Sequence, residues 1–265
     1  MTDIPEKLKL IAFDLDGTLA ESKQPLSPQM GELLARLLEK MPVAVMSGAG
    51  FPQFKTQLLA HLPQNANLEH LYVFPDSAAQ CFAYKDGDWQ AVYDQSFTET
   101  EKKAVLEALK SALQEVGLSE APVRLWGKRI EDRGGEIAFS PLGQQAPVAE
   151  KQVWHEAHED KRQHLRDSLA AKLPNCAVTI GGITTVDITR LGITKAYGVE
   201  QLSKITNIPI ADMLYVGDAL QPGGNDAAVI PTGVPIHTVT NPTDTAILIT
   251  NLLREVREAK LHAGS

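Results

Sequence analysis

Two carboxylates two positions apart, Asp14 and Asp16, follow the apolar run 8–13 and precede Gly17 and Thr18. An apolar run cut short by acids reads as a buried strand opening into a functional loop, and open parallel sheets bind ligands at the carboxyl ends of their strands. Three more residues fall at strand ends or helix starts: Ser47, Lys195 and Asp218. Together these types suit phosphoryl transfer. A carboxylate attacking phosphorus meets charge repulsion that a divalent cation such as Mg²⁺ offsets, and further carboxylates must hold the cation; Asp14, Asp16 and Asp218 could supply them. The transition state spreads negative charge over equatorial oxygens and calls for a fixed ammonium and a hydroxyl, roles open to Lys195 and Ser47. Taken singly, Ser47 reads as a turn residue and Lys195 as a solvated first-turn lysine. An acidic pair in a solvated loop also stays open, whereas a calcium loop does not fit: its glycine belongs at the sixth position, and Gly17 is the fourth from Asp14.

The elements that must hold these residues follow from hydrophobic periodicity. Short apolar runs at 8–13, 43–46, 71–74 and 213–216 predict buried strands. Between them, Ser27-Pro28 starts a helix that carries Leu33, Leu34, Leu37 and Leu38 and stops before Pro42, and another helix is expected from about Pro52 to His61. Strand and helix in alternation predict a parallel sheet with helices on both faces, an α/β Rossmann-like core. The middle of the chain departs from that rhythm. A hairpin turning at Asp86-Gly87, a helix opened by the Thr98–Glu101 capping box, strand-like stretches around Gly134-Gly135, a charged helix from about Val153 to Leu173 and a strand from Ala177 predict an inserted α+β cap domain. The expected division is 1–81 and 189–265 for the core and 82–188 for the cap.

Composition sets the outer limits. The 265 residues are 43% hydrophobic and 22% charged, ordinary for a folded globular chain. A formal net charge of -8 argues against binding nucleic acid or acidic membranes, since phosphate backbones are held by clustered Lys and Arg. Cys81 and Cys176 form no CxxC pair and read as reduced thiols. Residues 1–7 carry acids and a proline where a signal peptide has basic residues and an apolar stretch, and no run reaches membrane-spanning length. A cytoplasmic protein is expected.

The ordered set of aspartate pair, Ser47, Lys195 and acidic motif at Asp218 resembles the four motifs of the haloacid dehalogenase-like superfamily. More narrowly, the chain resembles the phosphomannomutases of that superfamily over nearly its whole length. The stretches that carry the resemblance are 72–75, 83–87, Ile130-Glu131 with Arg133 and Gly135, 140–143, Gly181-Gly182 with Thr185-Val186-Asp187, and Gly217-Asp218 with 222–226. Pro222-Gly223-Gly224-Asn225-Asp226 is the most specific of these. The resemblance implies that Asp14 is the nucleophile and Asp16 the general acid/base, that Asp226 joins Asp14, Asp16 and Asp218 around Mg²⁺, and that the insertion is a mobile cap. It also implies a small phosphosugar substrate and a homodimer formed through the cap. Carried over position by position, the family's phosphate-binding residues fall on Lys23, Arg133, Gln144 and Lys151, and its sugar-binding residues on Thr185 and Asp187. Lys23 and Lys151 keep the charge of an arginine without its bidentate fork, and Gln144 has no charge at all.

Two other motifs do not hold. The histidines of His155-Glu156-Ala157-His158 are three apart, whereas a zinc protease helix needs four. Gly48-Ala49-Gly50 follows the second strand and lacks the third glycine of a dinucleotide loop. Three functions remain in competition: a mutase, in which a second sugar hydroxyl takes the phosphoryl group from Asp14; a phosphatase, in which water does; and a sugar-phosphate sensor without catalysis. The sensor has no need of a nucleophile.

Overall fold

The computed structural model describes residues 4, 5 and 7–263, with side chains described as far as Arg254. Most of the N-terminal segment from which no leader was read lies outside the described residues. The chain divides into two compact units, 1–94 with 194–265, and 95–193.

The first unit is built on a seven-stranded sheet. Strands β1 (Leu10–Asp14), β2 (Val43–Met46), β3 (Leu71–Phe74), β4 (Gln80–Lys85), β5 (Asp88–Asp94), β10 (Met213–Gly217) and β11 (Ile236–Thr238) lie in the order β11-β10-β1-β2-β3-β4-β5. The first five in that order run parallel, and the β4–β5 hairpin adds antiparallel at one edge. Every residue of β1, β2 and β10 is buried. Such strands cannot alternate polar and apolar residues, because both faces are covered. On one face Ile11, Phe13, Val43 and Val45 pack in a cluster with Met30, Leu34 and Leu37 of α1 (Pro28–Leu38), Phe54 of α2 (Phe51–Gln57) and Ile249 and Leu252 of α6 (Pro242–Ala263). On the other, Leu10, Ala12, Ala44 and Met46 meet Val199 and Leu202 of α5 (Lys195–Thr206). This is the expected α/β Rossmann-like arrangement. Ser27 caps α1 through Met30 N–H at 3.2 Å, as its place before Pro28 suggests.

The hairpin turns at Asp86-Gly87, both at positive φ. Sequence reasoning opened the insertion at Phe82, but Phe82 and Ala83 pair with Val73 and Tyr72 of β3, and the Phe82 ring stacks on Phe51 at 3.9 Å. The hairpin therefore extends the first sheet, and the second unit starts at Gln95. Its local aromatic and Asp-Gly pattern announces a hairpin without saying which sheet edge will receive it. The helix expected to His61 ends at Gln57, and a 3₁₀ turn covers Leu59–His61.

The second unit is α+β. Four antiparallel strands, β6 (Ile130–Asp132), β7 (Glu136–Phe139), β8 (Cys176–Gly181) and β9 (Thr185–Arg190), lie in the order β6-β7-β9-β8. Ile137, Phe139, Val186 and Ile188 from one face of this sheet share a cluster with Val105 and Leu109 of α3 (Glu99–Glu115) and Leu165 and Leu169 of α4 (Val148–Lys172). Thr98 and Glu101 form the reciprocal capping box that opens α3. By the period of two along a strand, Glu136 and Ala138 of β7 and Thr185 and Asp187 of β9 belong to the opposite face. Both cysteines are free. No described helix is long and apolar enough to cross a membrane.

Candidate active site

Asp14 is the last residue of β1. It shares the strand parity of Ala12, whose side chain faces α5, and α5 begins at Lys195. Parity and helix start thus bring the two together, with Lys195 Nζ donating to Asp14 Oδ1 at 2.5 Å. The same ammonium donates to Asp226 Oδ1 at 2.6 Å. All three side chains are at least 97% buried, and a buried charge is tolerable only with partners of this quality. Asp218 follows the last residue of β10, the strand beside β1, and is half-buried. Asp14, Asp218 and Asp226 each place a carboxylate oxygen within 4.8 Å of the others.

These charges set one another's protonation. Burial pushes Asp14 up to about 7, against the pull of Lys195, and the Asp226 and Asp218 carboxylates push the same way. Burial works against the Lys195 ammonium, but Asp14 and Asp226 outweigh it and hold the group above the usual lysine range. Asp218 is raised by burial and by Asp226. Three carboxylates against one ammonium leave the cluster short of positive charge. Hard, close oxygen donors of this kind suit a divalent cation such as Mg²⁺.

Asp16 stands apart from that cluster. Its Oδ1 accepts from Gln57 Nε2 at 2.9 Å and from the Lys23 backbone N–H at 2.6 Å. Lys23 thus contributes a main-chain donor, at φ 59°, while its side chain is exposed. Ser47 is buried at the end of β2, its Oγ accepting from the Ala49 N–H at 3.1 Å. Gly17 lies at φ +86°, where a Cβ would come within 2.5 Å of Asp218 Oδ2, so only glycine lets the two loops approach.

The residues singled out in the second unit have other partners. Arg133 donates to Glu131 Oε2 from Nε and Nη2, at 2.9 and 2.7 Å, and to Glu136 Oε1 from Nη1 at 2.5 Å. Burial disfavours the Arg133 charge, yet Glu136, Glu131 and Asp187 outweigh it. Asp187 is pushed up to about 6 by burial, with Arg133 pulling it down and Glu131 raising it. Lys151 Nζ donates to the Gln144 backbone carbonyl at 3.4 Å, so these two are neighbours on the loop and first turn of α4. Thr185 opens β9 two residues before Asp187.

Sequence reasoning missed Gln57, Thr18, Tyr215 and Glu136. Thr18 Oγ1 donates to Asp218 Oδ1 at 3.4 Å, and Tyr215 OH donates to Asp226 Oδ1 at 2.7 Å. Tyr215 sits inside an apolar strand run, where an aromatic reads as core. Glu136, next to Gly134-Gly135, reads as a solvated turn acid. Gln57, a glutamine late in a helix, gave no signal.

Known proteins agree with this architecture. The sequence model of the family described as eukaryotic phosphomannomutase matches residues 30–255. A probable phosphomannomutase of Caenorhabditis elegans is 28% identical over 265 residues, covering 97% of this chain and 100% of the worm protein. Two solved structures share the fold at lower identity. A haloacid dehalogenase-like hydrolase from Bacteroides thetaiotaomicron superposes with a TM-score of 0.64 at 16% identity, over 93% of this chain and 100% of that one. The Plasmodium falciparum IMP-nucleotidase gives 0.68 at 18%, over 95% of this chain and 69% of its own. The family match runs from α1 well into α6 and so takes in both units, which makes this chain an enzyme of the eukaryotic phosphomannomutase family, with a fold shared by the haloacid dehalogenase-like hydrolase.

Proposed function

We propose that Asp14 takes a phosphoryl group from a hexose phosphate and hands it on through an aspartyl-phosphate, in a phosphomannomutase-like interconversion of mannose 1-phosphate and mannose 6-phosphate. The observation that carries this reading is the Lys195 ammonium lodged between the buried carboxylates of Asp14 and Asp226. A buried carboxylate is a poorly solvated and hence reactive anion, and Lys195 keeps it ionisable in that setting. Mg²⁺, held by Asp14, Asp218 and Asp226, would supply positive charge between carboxylate and phosphate.

In the first half-reaction an Asp14 oxygen bonds to phosphorus as the sugar oxygen departs in line, and Asp16 gives that oxygen its proton. The hydrogen bond from Gln57 fixes the Asp16 carboxyl for this task. Lys195 and Ser47 donate to the oxygens on which charge builds up. In the second half-reaction another hydroxyl, on a sugar that keeps a second phosphate held by the cap, gives its proton to Asp16 and attacks the aspartyl-phosphate, the bisphosphate turning around between the core and cap phosphate sites. Substrate binding is assigned to Lys23 in the core and to Arg133, Gln144, Lys151, Thr185 and Asp187 in the cap. A cytoplasmic enzyme paired through its cap completes the proposal.

A sugar-phosphate phosphatase is the second reading, and one observation favours it. Arg133 is already held by Glu131 and Glu136, and Gln144 is uncharged, so the cap has little positive charge left for a distal phosphate. Without that hold the intermediate would pass to water. Mannose 1-phosphate supplied with Mg²⁺ and a hexose bisphosphate activator separates the two. Mannose 6-phosphate without free phosphate supports the mutase; free phosphate in step with substrate loss rules it out.

A further inference from the structure

We infer that Tyr215 is a positioning residue for phosphoryl transfer, its hydroxyl locking Asp226 so that Asp226 in turn fixes Lys195 against Asp14; this rests on Asp14 being the phosphoryl acceptor. Tyr215 is fully buried in β10, in register with Ala12 of β1, two residues before Asp14 on the adjacent strand. Its ring packs in the apolar cluster on the α5 face, among the fully buried Phe74, Val199, Leu202 and Val229, none of which carries a polar side-chain atom. A phenol in such a place must spend its polar end on something. It donates to Asp226 Oδ1 at 2.7 Å, the same oxygen that accepts from Lys195 at 2.6 Å.

Asp226 comes from an irregular loop, and two donors from its own surroundings hold it there. The Ala219 N–H reaches Oδ2 at 3.1 Å, and the Tyr215 hydroxyl reaches Oδ1. Gly217 completes the arrangement, because a Cβ there would lie 2.5 Å from Asp226 Oδ2 and 3.1 Å from Tyr215 Cε1. Lys195 hangs on four rotatable bonds, so the place of its ammonium is set by the two carboxylates at its tip. Only one of them, Asp14, changes charge in the proposed reaction. When Asp14 becomes an acyl phosphate the negative charge moves from its carboxylate oxygens out to the phosphoryl group, and Asp226 keeps the ammonium from following a single partner, at the place where both half-reactions need it. Tyr215 supplies the rigid strand to which that anchor is tied. Without the hydroxyl, the Oδ1 oxygen is left to Lys195 alone and the ammonium is drawn toward Asp226, away from Asp14.

The test is Tyr215→Phe, which keeps the ring and removes one oxygen, alongside Tyr215→Leu, which removes both. Hydrogen bonds to charged groups are of a size that sets the expected fall in kcat on mannose 1-phosphate at roughly 10- to 100-fold, with KM within about twofold. Both variants should lose kcat alike although Tyr215→Leu melts at a much lower temperature, because the hydroxyl and not the packing carries the effect. A crystal structure of Tyr215→Phe, determined without substrate, should show the Lys195 ammonium displaced from Asp14. Wild-type kcat in Tyr215→Phe, an unmoved Lys195, or loss of the fold on removal of one oxygen would each overturn the positioning role. Turnover that survives Asp14→Asn would instead defeat the functional reading, and the substrate-free crystal structures would then decide the role of Tyr215 alone.

Discussion

The core and the cap hold charge in opposite ways. In the core, Lys195 is a buried ammonium bonded to one carboxylate at the end of the fully buried β1 and one in the loop that follows β10, and its surroundings are short of positive charge. In the second unit, Arg133 is about one-fifth exposed and sits in the turn between β6 and β7, bonded to the partly exposed Glu131 and the buried Glu136. A buried site gets its precision from packing and is costly to disturb. A turn at a sheet edge gets its character from whichever side chains pair there, and one substitution can change it. The core should therefore govern whether chemistry occurs, and the cap which sugar phosphate is taken.

Removing the nucleophile should give the largest effect. Asp14→Asn is expected to lower turnover on the order of 10⁴-fold while substrate still binds, as equilibrium dialysis with mannose 1-phosphate can measure. Next in size is the asymmetry in stability. Lys195→Met leaves two buried carboxylates without their cation and should cost about 3–5 kcal/mol in urea unfolding, whereas Arg133→Ala, with a partly exposed guanidinium, should cost about 1 kcal/mol or less. Equal losses would erase the contrast between the units.

The difference in setting also explains what could be read from the sequence. Asp14, Ser47 and Asp218 were legible because an apolar run that stops at a polar residue marks a strand end, and strand ends of a parallel sheet converge, while Lys195 was legible as the first residue of a helix. The core of a sheet between two helical layers was legible for the same reason. The hairpin at Phe82 was legible as a hairpin and not as an edge of the first sheet, since pairing with Val73 is a tertiary choice. Arg133 was visible as a residue, but its capture by Glu136 depends on how the Gly134-Gly135 turn folds back. Tyr215 looked like core, and it is core except at one atom.

Smaller effects sharpen the cap's side of the contrast. Arg133→Ala should raise KM several-fold with little change in kcat, and unchanged kinetics would put substrate recognition elsewhere in the cap. Glu136→Gln loosens the hold on Arg133 by replacing a carboxylate acceptor with a neutral amide and should tighten inhibition by hexose bisphosphate by roughly threefold, less than the worth of one charge-assisted hydrogen bond. A separate expectation concerns pH dependence. Asp14 is held near 7 in the folded protein against 3.8 unfolded, so between those values the folded state binds the extra proton and stability falls as pH rises. Urea unfolding without metal should show Asp14→Asn gaining on the wild type from about pH 4 to about pH 7. A constant difference over that range would mean that Asp14 stays ionised throughout.

The covalent step can be observed directly. Protein mixed with radiolabelled mannose 1-phosphate and Mg²⁺, quenched in acid within a turnover and mapped by mass spectrometry, should carry the phosphoryl group on the Asp14 side chain and on no peptide of Asp14→Asn. Turnover with the label absent, or with the label on another residue, would contradict transfer through Asp14.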